Sequence, residues 1–172
     1  MIKRTVLFFI APVVILLLFA VNGGYGFSDA DVQKLKATNQ CRGCDLAGVR
    51  LSGTNLSKAD LSGADLSGAS ISNADHSNAN LSNANLSGTN MTSANMAGAN
   101  LSRANLHRAI LTGAVLQNAD LSGANMTGMV LWDANLTGAN LAGANLTGAR
   151  LGGATWIDGK KCTEGSVGEC KK

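Results

Sequence analysis

This 172-residue chain contains four cysteines and two histidines, the side chains that most often serve as redox centres, metal ligands or general bases. Cys41 and Cys44 enclose an Arg-Gly pair, and two cysteines at that spacing can form a thiol redox centre or supply two ligands to a zinc ion. Cys162 and Cys170 lie near the other end of the chain. An even number of cysteines in an exported chain would indicate structural disulfides instead.

The two histidines, His76 and His107, add no recognisable catalytic set. Neither forms a plausible Ser-His-Asp arrangement, no paired carboxylates stand out, and no histidine lies near either cysteine pair. We therefore predict that the protein is not an enzyme and has no catalytic residue, no cofactor and no bound metal.

The part of the chain between the two cysteine pairs repeats every five residues. Stepping by five from Leu46 to Trp156 gives 23 units without an insertion, and 17 of their central residues are leucine. Alanine lies two residues before the centre in 18 of the 23 units. A period of five fits neither a helix nor a flat strand, so we expect the chain to turn a corner in every unit. Four sides per coil would bring residues about 20 apart into register, with about 4.8 Å between coils.

Units such as Ala59-Asp60-Leu61-Ser62-Gly63 and Ala139-Asn140-Leu141-Ala142-Gly143 resemble the pentapeptide-repeat family, whose pattern is Ala-Asp/Asn-Leu-X-X. The resemblance covers residues 44–158 and implies an all-β fold, a right-handed four-sided parallel β-helix. Nearly six coils would give a rod about 28 Å long. Leucine and alanine would fill its interior, leaving neither a lumen nor a ligand pocket.

Short caps are expected at both ends of this solenoid. Residues 27–43 form the predicted N-terminal cap, with a short helix over 28–40 that begins at Ser28. Residues 159–172 form the predicted C-terminal cap, folded over Trp156.

Four cysteines allow three disulfide connectivities. Because the rod separates Cys41 and Cys44 from Cys162 and Cys170 by most of its length, we favour the local pairs, 41–44 and 162–170. The same separation argues against one zinc site built from both pairs.

Two departures from the repeat bear on stability and function. His76 is the one polar central residue, between Leu56 and Met96, and we expect it to be neutral and hydrogen-bonded to a backbone carbonyl. Ile110 and Val130 replace the usual outward Asn or Asp.

These two apolar residues are 20 apart and therefore stacked, and Trp132 follows on nearby surface. With Arg108 at its rim, this cluster is the candidate interaction surface for an unknown protein partner or for self-association. The alternative is that a terminal segment folds back over it.

The N-terminal segment reads as a secretory signal. Lys3 and Arg4 precede an apolar run over residues 6–21, and small residues follow. We place the signal peptide at residues 1–26, with cleavage after Gly26 first and after Ala30 second. The alternative is an uncleaved membrane anchor with the repeats outside the cytoplasm. Either way the repeat domain is exported, to the periplasm or the cell exterior.

Cleavage after Gly26 leaves 12 basic and 11 acidic residues, a net charge of +1, which supports neither nucleic-acid nor membrane binding. We therefore predict an exported, non-catalytic rod with a structural or protein-interaction role. One alternative comes from the family resemblance: some cytoplasmic members mimic DNA and bind DNA gyrase. Their mimicry needs an acidic rod, whereas residues 44–158 carry five basic and seven acidic residues, a net charge of −2. The other alternative is a thiol redox protein that uses Cys41 and Cys44.

Overall fold

The computed structural model describes residues 26–172. Residues 1–25 of the predicted signal peptide lie outside the described residues. The membrane-anchor alternative concerns the same segment and also lies outside them. Over the described residues the one helix, α1 (Asp29–Thr38), has ten residues and is too short to cross a membrane.

The rest of the described chain winds into a four-sided parallel β-helix. Parallel bridges join residues 20 apart, from Gln40 with Asp60 to Asn135 with Thr155, and the register never slips. The bridges are isolated pairs, one per side of each coil, rather than long strands.

Each face of the solenoid is named here after the central residue of its first unit: faces 41, 46, 51 and 56. Cys41 takes a central position because its N–H donates to the Asp60 carbonyl at 2.7 Å, as the central N–H groups of later coils do. It lies one unit ahead of the first predicted unit. Because each face repeats every 20 residues, Leu141 lies on face 41 and Leu146 on face 46.

Leucine and alanine fill the interior, as the repeat predicts. Most central residues and the small residues two positions earlier are fully buried, Leu61 and Ala64 among them. Burying one leucine side chain contributes about 1.5–3 kcal/mol, so the stacked coils hold each other together through these contacts.

The corners of the repeat are tight turns in which the N–H of the small residue, alanine in most units, donates to the carbonyl of the preceding central residue, as Ala64 does to Leu61 at 3.1 Å. The residue before that alanine has a positive φ, a conformation that favours glycine or asparagine. Arg103 and Arg108 hold this conformation, with φ values of 57° and 55°.

Asn and Asp side chains form ladders along the outside. The Asn85 Nδ2 donates to the Asp65 Oδ1 at 3.1 Å. Asn105 and Asn125 continue the same ladder toward the C-terminal end of the rod. Because a carboxylate can accept but not donate, an aspartate fits at the N-terminal start of such a ladder. Asp65 occupies that place here.

His76 is fully buried, and neither of its ring nitrogens has a hydrogen-bond partner. The expected hydrogen bond to a backbone carbonyl is not formed with full geometry, although the Ala74 carbonyl lies near enough to act on the ring. Burial lowers the pKa of His76 from 6.5 to about 4, although the Asp75 carboxylate and the Ala74 carbonyl favour the charged ring. The imidazole is neutral at pH 7 and two polar atoms remain unsatisfied.

We expect His76→Leu to stabilise the protein by about 1–3 kcal/mol, because it removes two buried polar atoms that lack partners. Thermal and urea unfolding followed by circular dichroism measure the change. Met96→Leu, on the same face one coil later, is the matched control and should change stability by less than about 1.5 kcal/mol. A lower melting temperature for His76→Leu would contradict this account.

The unfolding free energy should also decrease as the pH is lowered from 6.5 to about 4. In that window the unfolded chain binds a proton at His76 that the folded chain does not. The loss should total about 3 kcal/mol. Three aspartate carboxyls also have a lowered pKa, because each accepts hydrogen bonds from the serine two residues later in the chain: Asp60, Asp75 and Asp120. Their contribution to the unfolding free energy is lost only below pH 3.8. His76→Leu should therefore abolish the slope above pH 4, and an unchanged slope would exclude His76 as its source.

Candidate interaction face and the cysteine sites

The sequence-predicted surface residues lie together on face 51. Ile110 and Val130 are direct bridge partners, and Trp132 lies two residues beyond Val130 on the same coil. Ile110 is 40% exposed and Trp132 is 44% exposed, so neither terminal segment covers them within the described residues. We call Ile110, Val130 and Trp132, with Arg108 at the edge, the interaction face.

Two further residues extend the interaction face toward the C-terminal end. The Arg150 guanidinium lies 5.9 Å from the centre of the Trp132 ring, a cation–π contact that steadies the exposed indole. Val167 pairs with Arg150 in an antiparallel bridge and is 55% exposed. Sequence reasoning missed Val167 because it lies in the tail, beyond the five-residue register.

The exposed large apolar side chains of the described chain are concentrated on this face. Ile110, Trp132 and Val167 lie on face 51, whereas Ile157, 40% exposed, lies on face 56. The N-terminal part of face 51 is polar, with Ser52 bonded to Ser70 at 3.0 Å. Face 51 therefore changes from polar to apolar along the rod.

Basic groups border the interaction face. The Arg108 Cγ lies 3.6 Å from the place where a Cβ on Gly128 would stand, so this side chain runs along the corner between two faces. Arg103 runs over Gly123 in the same way at the preceding corner. Between the two arginines in sequence, the His107 Nδ1 lies 2.7 Å from the Thr127 Oγ1.

The structure joins Cys41 to Cys44 in a disulfide beneath α1. Cys41 is fully buried and Cys44 is 4% exposed. The Cys41 Sγ lies 3.2 Å from the Asp31 carbonyl of the helix, which covers it. Thiol–disulfide exchange requires an incoming thiolate to reach a sulfur atom, and this geometry does not admit one.

The Asp31 carboxylate and the sulfurs of Cys41 and Cys44 lie within 4.8 Å of one another, the one grouping of potential metal ligands found among residues 26–172. Zinc sites need thiolates and usually four ligands. Here both sulfurs are in a disulfide, and the Asp31 Oδ2 accepts the Asp45 N–H at 3.0 Å. The residues do not fit a metal centre and serve as a cap.

A second disulfide joins Cys162 to Cys170 and closes the C-terminal tail. The tail pairs antiparallel with the last coil, through Thr155 with Lys161 and Arg150 with Val167. This disulfide therefore ties the covering segment to itself rather than to the rod.

Two shallow depressions of the described chain are open to solvent and do not enclose a substrate. One is lined by glycine and serine with Arg50, and the other includes Arg42 and Asp60. Together with the buried His76 and the covered disulfide, this leaves the interaction face as the candidate functional site.

Comparison with known proteins identifies the repeat. The family model described as pentapeptide repeats matches eight copies over residues 40–75, 77–113 and 114–153, and the residue between the first two ranges is His76. No curated protein sequence matches the chain significantly.

Several solved structures are similar. Rfr23, a pentapeptide-repeat protein from the cyanobacterium Cyanothece 51142, is 32% identical with a TM-score of 0.66, over 67% of this chain and 92% of that one. HetL from the cyanobacterium Nostoc sp. strain PCC 7120, involved in heterocyst differentiation regulation, is 39% identical with a TM-score of 0.50, over 71% of this chain and 63% of that one. QnrB1, a plasmid-mediated fluoroquinolone resistance protein, is 21% identical with a TM-score of 0.36, over 64% of this chain and 68% of that one, and that likeness carries no functional argument.

The constant 20-residue register, the filled Leu and Ala interior and these matches agree on a right-handed, four-sided parallel β-helix. The chain belongs to the pentapeptide-repeat family.

Proposed function

We propose that this protein is an exported, non-catalytic rod that binds a protein surface through its interaction face. The observation that carries the proposal is the cluster of exposed apolar side chains on face 51 of a rod whose surface is elsewhere mostly Asn, Asp, Ser, Thr and Gly. Contiguous apolar patches on soluble proteins typically mark interaction sites.

The charge and position of Arg108 support a role for the basic rim. Its φ of 55° is less favourable for arginine than for glycine, which occupies the matching corner of the next coil at Gly128. Lys58, Ser93 and Arg103 hold the same conformation, so the support comes from the place of Arg108 beside the apolar cluster and not from its φ.

The N-terminal cap supports cleavage after Gly26 over cleavage after Ala30. Phe27 pairs with Leu46 in an antiparallel bridge, and Ser28 caps α1 by accepting the Asp31 N–H at 3.3 Å. The Ser28 N–H also donates to the Asp45 carbonyl at 3.0 Å. Cleavage after Ala30 would remove these contacts and the first turn of the helix.

The two alternatives find less support. The net charge of −2 over residues 44–158 is too small for a rod that imitates DNA. A thiol redox role would require access to Cys41 and Cys44, which α1 covers.

Cell fractionation followed by N-terminal sequencing tests the export proposal. We expect the mature protein outside the cytoplasm with Phe27 as its first residue. A first residue of Asp31 would contradict the argument from the cap, and a full-length cytoplasmic protein would contradict export and revive the gyrase alternative.

Site-specific photo-crosslinking tests the interaction face. A crosslinking amino acid at position 132 should give a discrete adduct in the native host, whereas the same amino acid at position 157 should not, since Ile157 is exposed on a different face. The adduct mass distinguishes another protein from a second copy of this chain.

Substitutions then separate binding from folding. Ile110→Ser should reduce the adduct formed from position 132, and Ile157→Ser, which removes an equally exposed isoleucine, should not. Arg108→Gly should reduce the adduct while raising stability by about 1 kcal/mol, because glycine relaxes the positive φ. If positions 132 and 157 gave equal amounts of adduct, or if neither gave any, the interaction face would not be a binding site.

A further inference from the structure

The C-terminal end of the rod carries backbone groups without partners. In inner coils the central N–H and the N–H two residues later donate to the next coil, as Leu121 does to Asn140 at 2.8 Å and Gly123 to Ala142 at 2.9 Å. On faces 41 and 46 of the last coil these groups have no acceptor among residues 26–172. The N–H groups concerned belong to Leu141, Gly143, Leu146 and Gly148.

The tail shows how the same edge is satisfied on the other two faces. On face 51 the Ser166 carbonyl accepts the Leu151 N–H at 2.9 Å, and on face 56 the Lys160 carbonyl accepts the Trp156 N–H at 2.7 Å. The tail leaves the edge at Gly168, whose N–H donates to the Ala149 carbonyl at 2.8 Å. The tail therefore covers faces 51 and 56 and reaches the corner at Gly148, beside which Gly168 lies. The rest of faces 41 and 46 stays open.

The open half of the end is also apolar. Leu141, Ala144 and Leu146 are partly exposed, whereas Leu121 and Ala124, one coil earlier on the same faces, are buried. We call residues 139–148 the open edge. Exposed apolar side chains beside unpaired strand groups are the features that strand addition uses.

The polarity of the open edge favours one kind of occupant. Compared with an inner coil, it leaves four N–H groups without acceptors but only two carbonyls without donors, those of Ala139 and Ala144. The Gly143 and Gly148 carbonyls accept no bond here, but neither do their counterparts in the inner coils, so they do not face the next coil. Two copies meeting through this edge about a two-fold axis would place eight donors against four acceptors, so at least four N–H groups would stay unpaired. An extended peptide can offer a carbonyl to each donor.

We propose that the open edge binds an extended segment of a partner protein by strand addition. The segment supplies carbonyls to the four N–H groups and lays a leucine-sized and a small side chain over Leu141, Ala144 and Leu146. This site is on the end of the rod and does not depend on the interaction face.

The chain itself supplies the probe, a peptide with the sequence of residues 120–129. One coil earlier this segment lies on the same two faces, and its carbonyls accept from the coil below, as Asp120 does from Leu101 at 2.7 Å and Thr127 does from Arg108 at 2.9 Å. A scrambled peptide of identical composition, without the five-residue spacing, is the control.

Amide NMR of the purified mature protein reads out the binding. The peptide should shift the Leu141, Gly143, Leu146 and Gly148 amides and slow their hydrogen exchange, with saturation at or below about 1 mM. The scrambled peptide should do neither, and the amide and indole signals of Trp132 should not move.

Leu146→Lys should weaken peptide binding at least about tenfold. Gln117→Lys, at an exposed position on face 56 outside the open edge, should leave it unchanged. Should Leu146→Lys fail to fold, the peptide titration of the unaltered protein still decides.

Two results would overturn the proposal. The first is the absence of saturable shifts on the open edge at millimolar peptide. The second is a dimer in light scattering whose four amides are already protected without peptide, since a second copy would then occupy the edge. Failure here leaves the crosslinking result at Trp132 untouched, and the reverse also holds.

Discussion

The structure depends on one constraint: each five-residue unit must turn one corner and bury one large and one small side chain. The backbone hydrogen bonds of each coil are completed by its neighbours, so a single inserted residue would shift every later unit onto the wrong face. The unbroken 20-residue register from Gln40 to Thr155 is the consequence. Aromatic residues are correspondingly rare in the repeats, because neither slot has room for them: Trp132 lies outside, and Trp156 stands at the end where the coils stop.

The same constraint explains how far the sequence predicts the fold. The burial of Leu61, Ala64 and their equivalents follows from the period alone, because each position recurs on one face. The hydrogen bond expected for His76 is not formed with full geometry, for a reason that the period does not reveal. The nearby carbonyls lie along the rod axis and accept from adjacent coils or from the corner turn: Asp75 from Leu56, and His76 itself from Ala79. A hydroxyl at the small inward position can share such a carbonyl, as the Thr89 Oγ1 does when it donates to the Leu66 carbonyl at 2.8 Å. The imidazole at the central position makes no full hydrogen bond to one.

The candidate sites were predictable to the extent that they break the repeat. Ile110, Val130 and Trp132 stand out because Asn, Asp, Ser or Thr is the rule at outward positions, and the register alone brings them to one face. Val167 and the open edge could not be predicted in this way. Both depend on the path of the tail after residue 159, where the repeat ends and the pairing becomes antiparallel.

A parallel solenoid has chemically different ends, and its two caps differ accordingly. At the N-terminal end the Asp31 carboxylate accepts the Asp45 N–H and the Ser28 N–H donates to the Asp45 carbonyl, so side chain and backbone of the cap together satisfy the first coil. At the C-terminal end more N–H groups than carbonyls lack the partner that they have in an inner coil, so the missing partners are mostly carbonyl acceptors. An extended backbone supplies carbonyls at the spacing of a coil. The tail meets that need on two faces before it turns away at Gly168. The other two faces present the same need together with the leucines that an inner coil would bury. A partner strand would therefore pair with the last coil through the same kind of backbone hydrogen bonds that the protein's own tail forms on the other two faces.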